Sequence, residues 1–401
     1  QQSTTGASNT GVGYKALYAN TTAGNNTAVG TSALTANTTG QFNTSVGRNS
    51  MIANTTGANN VAVGNRALDA NTTANNNTAV GDAALTANTT GTRNVSVGAI
   101  ALDANTTGDD NTAIGYTTLG LNVSGSRNTA VGTYALDVNT ASDNTAVGRA
   151  AMDANTSGAS NVAIGSSALG ANTTASNNTA VGMGALAANT TASFNTAVGT
   201  STLSATTGEG NTVLGYAAGF AVTSGSNNNF FGRDAGRTGS PGGNVTTGGN
   251  NILLGDENID YAGIQVDWTV ASDARDKTDF TALDLGLDFV KALAPVTYRW
   301  DKRSKYGDKS ADDYDLLDQT PDGTHKEDWL DIGFKAQEVQ ALEEAAGYTT
   351  AAKKNLTVST TGDGKQMGLQ YSKFVPILVK AMQEQNALIE ALTARITTLE
   401  G

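Results

Sequence analysis

The sequence predicts a mostly β repeat shaft, followed by a small α+β domain that ends in a coiled-coil helix. Three observations predict this fold class: a five-residue unit recurs at a fixed spacing, the composition changes near residue 255, and the last thirty residues carry an apolar heptad. We expect the shaft over 1–255, a connecting strand over 256–271 and a terminal domain over 272–401. The coiled coil is expected at about 372–400.

The repeating unit reads Asn-x-x-apolar-Gly. Its spacing is 17 residues, except for two intervals of 16, from Asn128 to Asn144 and from Asn195 to Asn211. A degenerate copy, NILLG, follows at Asn251. Such a fixed period is the signature of a solenoid or related array. The units begin at Asn9, Asn26, Asn43, Asn60, Asn77, Asn94, Asn111, Asn128, Asn144, Asn161, Asn178, Asn195, Asn211 and Asn228.

Each position of the repeat has a physical interpretation. The run before the glycine suits a strand of three or four residues, and the glycine permits a turn with positive φ. One unit holds too few apolar groups to form a core, so stability must come from stacking. The prediction is a parallel β-solenoid or a trimeric β-roll, one repeat per layer. We expect a buried valine column (Val29, Val46, Val63, Val80), a leucine column (Leu34, Leu68, Leu85) and an amide ladder (Asn26, Asn43, Asn60).

Other features of the repeats are interpreted as structural. The Asn-x-Thr triplets follow the period, which favours turn and ladder residues over glycosylation sites. Calcium-binding glycine-rich repeats are absent from the sequence. Stacked threonines would also suit ice binding, which leaves the terminal domain unexplained. Single aspartates at one repeat position are expected to be solvated: Asp69, Asp103, Asp137 and Asp153.

Composition excludes several classes of function. Residues 1–255 hold 8 Lys and Arg against 10 Asp and Glu, whereas 256–401 hold 16 against 26, so no part is basic enough for nucleic acid. Without cysteine there is no disulfide, thiolate metal site or cysteine nucleophile. No apolar run is long enough to span a bilayer, and we predict no cofactor or metal. The opening QQSTTG, without Met or a signal-like segment, suggests a piece of a longer protein.

The terminal part has a different pattern. Residues 261–270 alternate as a strand, and 282–300 read as an amphipathic helix stopped by Pro295 and followed by a strand. Residues 331–347 read as a strand that runs into a helix. The stretch 303–328, rich in Asp and Lys, is expected to be a solvated insertion.

The last helix carries four heptads. Their pattern favours a parallel coiled coil in which Gln385 sets the register, over a single helix packed on its own domain. Ile at a with Leu at d leans towards a dimer, so this pattern does not establish a trimer. The a positions are Val375, Met382, Ile389 and Ile396, and the d positions are Leu378, Gln385, Leu392 and Leu399.

A polar cluster, SDARDK, lies where the repeats have ended. The only histidine, His325, falls in the hydrophilic insertion, so a Ser/His/Asp triad is disfavoured. Ser272 could instead use Lys277 as its base, provided that burial or the adjacent Arg275 lowers the pKa of the lysine. A separation of five residues lets a loop bring the two side chains together. On spacing alone, a solvated charge run is the alternative.

Four segments resemble one family. SDARDK, LAPVTYRW, IGFKAQEVQ and YSKFVPILVKAMQEQNALIEAL occur in order over 272–401 and resemble the intramolecular chaperone domain of phage endosialidase-type tail spikes and fibres. The repeats are similar to the heads of trimeric autotransporter adhesins and to the shafts of certain phage tail fibres. The resemblance implies a domain that assembles as a trimer, templates the preceding shaft and then cuts itself off.

The resemblance also implies residue roles. The family's Ser/Lys dyad falls on Ser272 and Lys277, with the cut at Ala271–Ser272, and Asp273 and Arg275 match the positions beside the nucleophile.

Two further positions match the family less directly. Gln337 and Glu338 match a GF-x-AQEV element, for which we expect a supporting role. Asp276 replaces the family's apolar residue, and a carboxylate there would raise the pKa of Lys277 and slow or prevent cleavage.

These implications define the expected function. The chain would be a structural and host-attachment protein of a virion tail fibre, at most a single-turnover self-cleaving peptidase. Its expected partners are two further copies of itself, other virion tail proteins, and a host receptor or glycan. Near-identical layers have many equivalent registers, so a terminal domain that aligns the chains would select one. A bacterial trimeric surface adhesin with the same terminal domain is the alternative.

Overall fold

The computed structural model describes residues 5–259, 262–263, 265, 270–308, 314–349, 356–361 and 363–401. The chain divides into two compact units. The first comprises 1–237 and 245–256, and the second comprises 238–244 and 257–401. The strand predicted for 261–270 lies mostly outside the described residues.

The first unit is a parallel β-solenoid, as predicted. Each repeat contributes one three-residue strand, and each strand pairs in parallel with the strands of the neighbouring layers. The register equals one repeat, so that Thr27 pairs with Thr44 and Val29 with Val46. The strands, β1 to β15, are Thr10–Val12, Thr27–Val29, Thr44–Val46, Val61–Val63, Thr78–Val80, Val95–Val97, Thr112–Ile114, Thr129–Val131, Thr145–Val147, Val162–Ile164, Thr179–Val181, Thr196–Val198, Thr212–Leu214, Asn229–Phe231 and Ile252–Leu254.

The valine column does not lie in the core, contrary to the prediction. Val29, Val46 and Val80 are half-buried and Val63 is exposed, whereas the middle residue of each strand, such as Ala28, is fully buried. Side chains alternate across a strand, so either the middle residue or the two ends must point inward. The interior of most layers already holds a leucine or methionine and two asparagines. Only a small side chain fits beside them in most layers, which turns the valines outward.

The leucine column is fully buried, as predicted. Leu34, Leu68 and Leu85 have no exposed surface, and Met51 fills the same position in its layer. The backbone at Leu34 has φ of 53°, a left-handed conformation that repeats throughout the column. β-Branched residues are strongly disfavoured there. This explains why the column uses Leu and Met and never Val or Ile.

The glycine that ends each strand has two reasons to be glycine. Gly30 has φ of 134°, which side chains rarely permit. A Cβ at Gly30 would also lie 2.5 Å from the carbonyl oxygen of Gly47 in the next layer. The layers therefore approach one another at this corner through bare backbone.

The predicted amide ladder is present. Asn26 Nδ2 donates to Gly40 O at 2.9 Å, while its Oδ1 accepts the backbone N–H of Asn43 at 2.9 Å. The same exchange recurs in successive layers, for example from Asn60 N to Asn43 Oδ1. Each buried amide thus meets its hydrogen-bonding needs through a neighbouring layer, which ties the layers together.

A second amide ladder was not predicted. The asparagine of each ANTT turn is also fully buried, and Asn54 Nδ2 donates to Asn37 Oδ1 at 2.9 Å. These side chains lie inside the shaft, so the Asn-x-Thr triplets are structural, as expected. The ladder is interrupted at the first 16-residue layer. There Asn139 donates to Ala141 O instead, and the Oδ1 of Asn122 is buried without a hydrogen-bond partner.

The aspartate column is half-buried, contrary to the prediction that it is solvated. Burial raises the pKa of Asp103, and the neighbouring Asp137 raises it further. Burial likewise raises the pKa of Asp137, with a contribution from Asp153. The aspartates of this column therefore lie close enough across the layers to repel one another.

The second unit is a small α+β domain. Within its described residues, two antiparallel strand pairs, β16 with β17 and β18 with β19, accompany three α-helices. Leu285, Phe289, Val339, Phe374 and Ile377 are part of its apolar core. The elements are α1 (Leu287–Ala292), β16 (Val296–Tyr298), β17 (Asp331–Gly333), α2 (Ala336–Ala345), β18 (Val358–Thr360), β19 (Met367–Leu369) and α3 (Phe374–Glu400).

Most predicted elements of this unit are present, with two differences. The first helix is shorter than predicted and begins at Leu287, because Gly286 interrupts the pattern. The insertion 303–328 is not wholly solvated: Leu316 is fully buried, and the Arg303 guanidinium donates to Lys365 O at 2.7 Å. Residues 309–313 of the insertion lie outside the described residues.

Candidate functional site

Ser272 and Lys277 are brought together by a single 3-10 turn at Ala274–Asp276. The Asp273 carboxylate accepts the backbone N–H of Arg275 at 2.9 Å and so caps this turn. The turn reverses the chain, and Lys277 Nζ donates to Ser272 Oγ at 2.6 Å. A serine hydroxyl in direct contact with an amine has the geometry that nucleophile activation by a base requires.

Asp273 and Arg275 support the turn rather than the dyad. The Arg275 guanidinium contacts the Asp273 carboxylate at 2.6 Å, and this contact lowers the pKa of Asp273. The hydrogen bond to the Asp273 carboxylate in turn raises the pKa of Arg275. Both groups remain charged at neutral pH. Since Asp273 also caps the turn, the pair holds the backbone between Ser272 and Lys277 in its reversed form.

The remaining predicted residues lie apart from the dyad. Gln337 and Glu338 are exposed on the first turn of α2, where Glu338 pairs with Lys335 at 2.8 Å. Within the part of the chain that the structure describes, no hydrogen bond or ion pair joins them to the dyad. The same holds for Asp276 and Lys277, which form no ion pair despite their adjacency.

The dyad lies on an exposed stretch of chain. All residues from 270 to 282 are exposed, and Ala271, whose carbonyl the predicted cut requires, is among them. The chain first becomes buried at Leu285 and Gly286. In a single chain, therefore, the residues that the structure describes leave the scissile bond open to water.

A second candidate surface is the exposed side of α3. Phe374, Ile377 and Ala381 face the domain core, whereas the predicted heptad positions point to solvent. These positions form the a/d seam: Val375, Leu378, Met382, Gln385, Ile389, Leu392, Ile396 and Leu399. The exposed fraction of its apolar members runs from 44% for Leu378 to 84% for Leu399. A soluble chain rarely exposes so long an apolar stripe unless a partner covers it.

A third candidate surface is the outer face of the shaft sheet. The last residue of every strand is Val, Ile, Leu or Phe, and these residues stack into one outward column, called here the aliphatic column. The sequence analysis did not predict this surface, because it placed the valines in the core. The signal was present in the small residue, usually alanine, at the middle position of each strand.

The described residues include neither a membrane-spanning helix nor a cluster of metal-binding side chains. No helix there is both long and apolar enough to cross a membrane. No group of three or more His, Asp or Glu residues is arranged to hold a metal ion in that same part of the chain.

Part of the second unit is similar to a known family. Residues 272–348 match the family described as chaperone of endosialidase. The match begins at Ser272 and includes Lys277. No curated protein matches the chain. The match supports a chaperone domain in the C-terminal part of this protein, in agreement with the resemblance carried by its sequence motifs.

Proposed function

We propose that this protein is the shaft and assembly domain of a homotrimeric phage tail fibre. Its C-terminal unit aligns three chains, directs folding of the repeats and then cleaves itself from them at Ala271–Ser272. The exposed a/d seam is the observation that carries the proposal. The shaft would act at the host cell exterior, joined to other tail proteins and contacting a host receptor or glycan, as the resemblance to tail fibres implies.

The a/d seam supports self-association because its pattern fits a second copy of itself. The apolar residues repeat every 3.5 positions on average over four heptads, which is the requirement for knobs-into-holes packing. The core-facing residues Phe374, Ile377 and Ala381 form a stripe that adjoins the seam, and the seam residues themselves stay exposed. One helix can therefore pack on its own domain and on partner helices simultaneously.

The aliphatic column supports extension of the same contact along the shaft. Fully burying one such side chain removes on the order of 100 Å² from water. Val63 remains 36% exposed and Ile114 40%. With about a third of each side chain exposed, fifteen layers would offer roughly 500 Å². One partner in a standard interface buries about 800 Å², so the column and its flanking threonines approach that requirement.

The dyad supports self-cleavage. Neutral Lys277 would accept the Ser272 hydroxyl proton while Oγ attacks the Ala271 carbonyl carbon. The C–N bond then breaks, the Ser272 nitrogen leaves as an amine, and an ester joins Ala271 to Oγ. Water hydrolyses this ester to an Ala271 carboxylate and restores the hydroxyl. Because nucleophile and scissile bond belong to one chain, proximity replaces substrate binding.

Removal of the chaperone domain would make the assembled shaft kinetically stable. Once the domain has left, unfolded shaft chains lack the element that aligns them and cannot reassemble. Cleavage after assembly would thus convert a reversible association into a permanent one.

Assembly and cleavage are tested by mass. Light scattering of the Ser272→Ala protein should give three times the mass of one chain, and a gene ending before residue 272 should yield aggregated shaft. A soluble trimer from that shortened gene would contradict the chaperone role.

Wild type should show two bands on a denaturing gel, whereas Ser272→Ala and Lys277→Ala should show one. Cleavage of Ser272→Ala at the wild-type rate would remove the dyad from the mechanism.

The shaft contact is tested by crosslinking, since the chain has no cysteine. Val97→Cys places a thiol on the aliphatic column, and Thr107→Cys places one at an exposed turn away from it. A short thiol–thiol crosslinker should join chains through residue 97 and leave residue 107 unjoined. A trimer in which residue 97 does not crosslink would exclude the column from the interface.

A further inference from the structure

Glu384 links α3 to the start of α1. Its Oε2 accepts the backbone N–H of Leu287 at 2.7 Å, and its Oε1 lies 3.3 Å from Lys380 Nζ. The hydrogen bond from Leu287 is the main reason that the pKa of Glu384 is lowered. Gly286, the residue before α1, has no side chain to cap the helix. A carboxylate on a distant helix therefore performs the capping that a local serine or aspartate usually provides.

The approach of Glu384 depends on glycine. A Cβ at Gly286 would overlap the Glu384 carboxylate, with its carbon Cδ only 2.6 Å away. Gly286 also has φ of −135° and ψ of −133°, a combination outside the main α and β regions of residues that carry a side chain. The backbone conformation and the close contact with Glu384 therefore both favour glycine.

This contact lies where the dyad segment is anchored. From 270 to 282 the chain is exposed, and its first attachments are Leu283 and Leu285 at the core, the hydrogen bond from Tyr348 Oη to the Asp284 carboxylate, and Glu384. Six residues lie between Lys277 and Asp284. The placement of the dyad therefore starts from a point that α3 itself helps to fix.

Glu384 also lies beside the a/d seam. The seam residue Met382 lies two positions before it and the seam residue Gln385 directly after it, while its own side chain points to α1. Packing of the seam against partner helices fixes the rotation of α3 about its axis. In a single chain, Phe374, Ile377 and Ala381 already hold α3 at a rotation that lets the Glu384 carboxylate reach Leu287, and packing of the seam would fix this same rotation.

We propose that Glu384 is a positioning residue that couples self-association of α3 to the placement of the Ser272–Lys277 segment. The effect of Glu384 on cleavage rests on the proposed function. Its effect on the position of Leu287 and the start of α1 does not. In the assembled protein, a fixed seam holds Glu384 on Leu287, which holds α1 and the chain leading from the dyad. Loss of the contact lets this chain move relative to the seam without dissolving the seam.

Cleavage kinetics provide the first test. Glu384→Ala removes the acceptor, Glu384→Gln keeps an acceptor oxygen, and Gly286→Ala blocks the approach without changing α3. Lys380→Ala is the matched control, because it removes the ion pair alone. Trimers of Glu384→Ala and Gly286→Ala should cleave about tenfold more slowly, since small displacements of reacting groups reduce rates steeply. Glu384→Gln should restore most of the rate, and Lys380→Ala should match wild type.

Amide exchange provides the second test and does not require cleavage. In Ser272→Ala trimers, amides at 283–288 should be protected, and adding Glu384→Ala should release them while 389–399 stay protected. If exchange at 283–288 is unchanged by Glu384→Ala, or if Glu384→Ala trimers cleave at the wild-type rate, the coupling is wrong. A wild type that never cleaves would instead refute the proposed self-cleavage, and the exchange result would still decide the role of Glu384.

Discussion

The carboxylates of Asp103 and Asp137 approach each other across Gly120, which occupies the layer between them. A Cβ at Gly120 would lie 2.6 Å from Asp137 Oδ1 and 3.7 Å from Asp103 Oδ1. The absent side chain opens a gap into which both carboxylates lean. Their mutual repulsion and partial burial raise the pKa of Asp103, with burial as the larger cause.

This pair predicts a pH-dependent shaft. Because the pKa of each carboxyl is raised on folding, the folded shaft holds these protons more tightly than the unfolded chain. Their stabilisation is present at low pH and is lost as the pH rises through the raised pKa values. Asp103→Asn and Asp137→Asn should therefore stabilise the shaft at neutral pH, each by less than about 1 kcal/mol after solvent screening. Thermal melts between pH 3 and pH 8 measure the effect.

Asp110→Asn is the control of opposite sign. The Arg93 guanidinium lowers the pKa of Asp110, so this pair stabilises the shaft above the ordinary pKa of the carboxyl. Asp110→Asn should lower the melting temperature at neutral pH, and this effect should shrink as the pH falls below the ordinary pKa of the carboxyl towards its lowered value in the folded shaft. If Asp110→Asn stabilised the shaft as much as Asp103→Asn does, both effects would come from the removal of one negative charge and not from the local contacts of each carboxylate.

Substitution of a strand-end glycine should destabilise the shaft far more than substitution of a glycine elsewhere in the shaft. Gly98 has φ of 137°, and a Cβ there would overlap the backbone of Gly115. Gly98→Ser should cost about 3 kcal/mol or more, since strain and overpacking add. Gly184, with φ of 65° and open space around its Cα, occupies a position where Ser201 takes φ of 57°. Gly184→Ser should be nearly neutral in chemical unfolding, and equal losses for the two would contradict the argument.

The leucine column should reject β-branching. Leu102 has φ of 53° and is fully buried. Leu102→Ile conserves volume but adds a branch at Cβ, so it should destabilise by about 1–3 kcal/mol through backbone strain. Leu102→Met should cost less than about 1.5 kcal/mol, as Met152 already fills the same position. The ratio of the two effects, measured by urea unfolding, separates strain from packing.

The interrupted amide ladder predicts that alanine substitutions of its asparagines destabilise the shaft by different amounts. Asn88 Oδ1 accepts from Asn105 Nδ2 at 2.9 Å, whereas the Oδ1 of Asn122 accepts nothing. Asn88→Ala removes a satisfied acceptor, and Asn122→Ala removes an unsatisfied one. Asn88→Ala should therefore destabilise the shaft by about 1 kcal/mol more than Asn122→Ala does. Equal melting temperatures for the two variants would show that a water molecule satisfies Asn122.

The sequence was informative wherever one layer repeats the next. A fixed period predicted the parallel register, the Asn26 ladder and the Leu34 column, because stacking places equal residues over equal residues. It could not decide whether Val29 or Ala28 points inward, since a three-residue strand alternates equally well either way. The choice depends on how little space remains beside Leu34 and two asparagines, which is a property of the folded layer.

The terminal domain was predictable for a different reason. Ser272 and Lys277 are only five residues apart, and one capped turn joins them, so local sequence was sufficient. Glu384 and Leu287 are 97 residues apart, and neither residue type marks a contact. Only the packing of α1 on α3 brings them together, which is why no sequence pattern indicated the anchor.

The parallel stacking of the strands has a mechanical consequence. Hydrogen bonds between layers all run along the stacking direction, and each layer is bonded chiefly to the layers beside it. A pulling force on the two ends of a single shaft chain therefore loads these bonds one layer at a time instead of shearing them together. Each rupture would lengthen the chain by about 55 Å, the extended length of one repeat. The two 16-residue layers would give slightly shorter steps, which would mark positions along the force–extension trace.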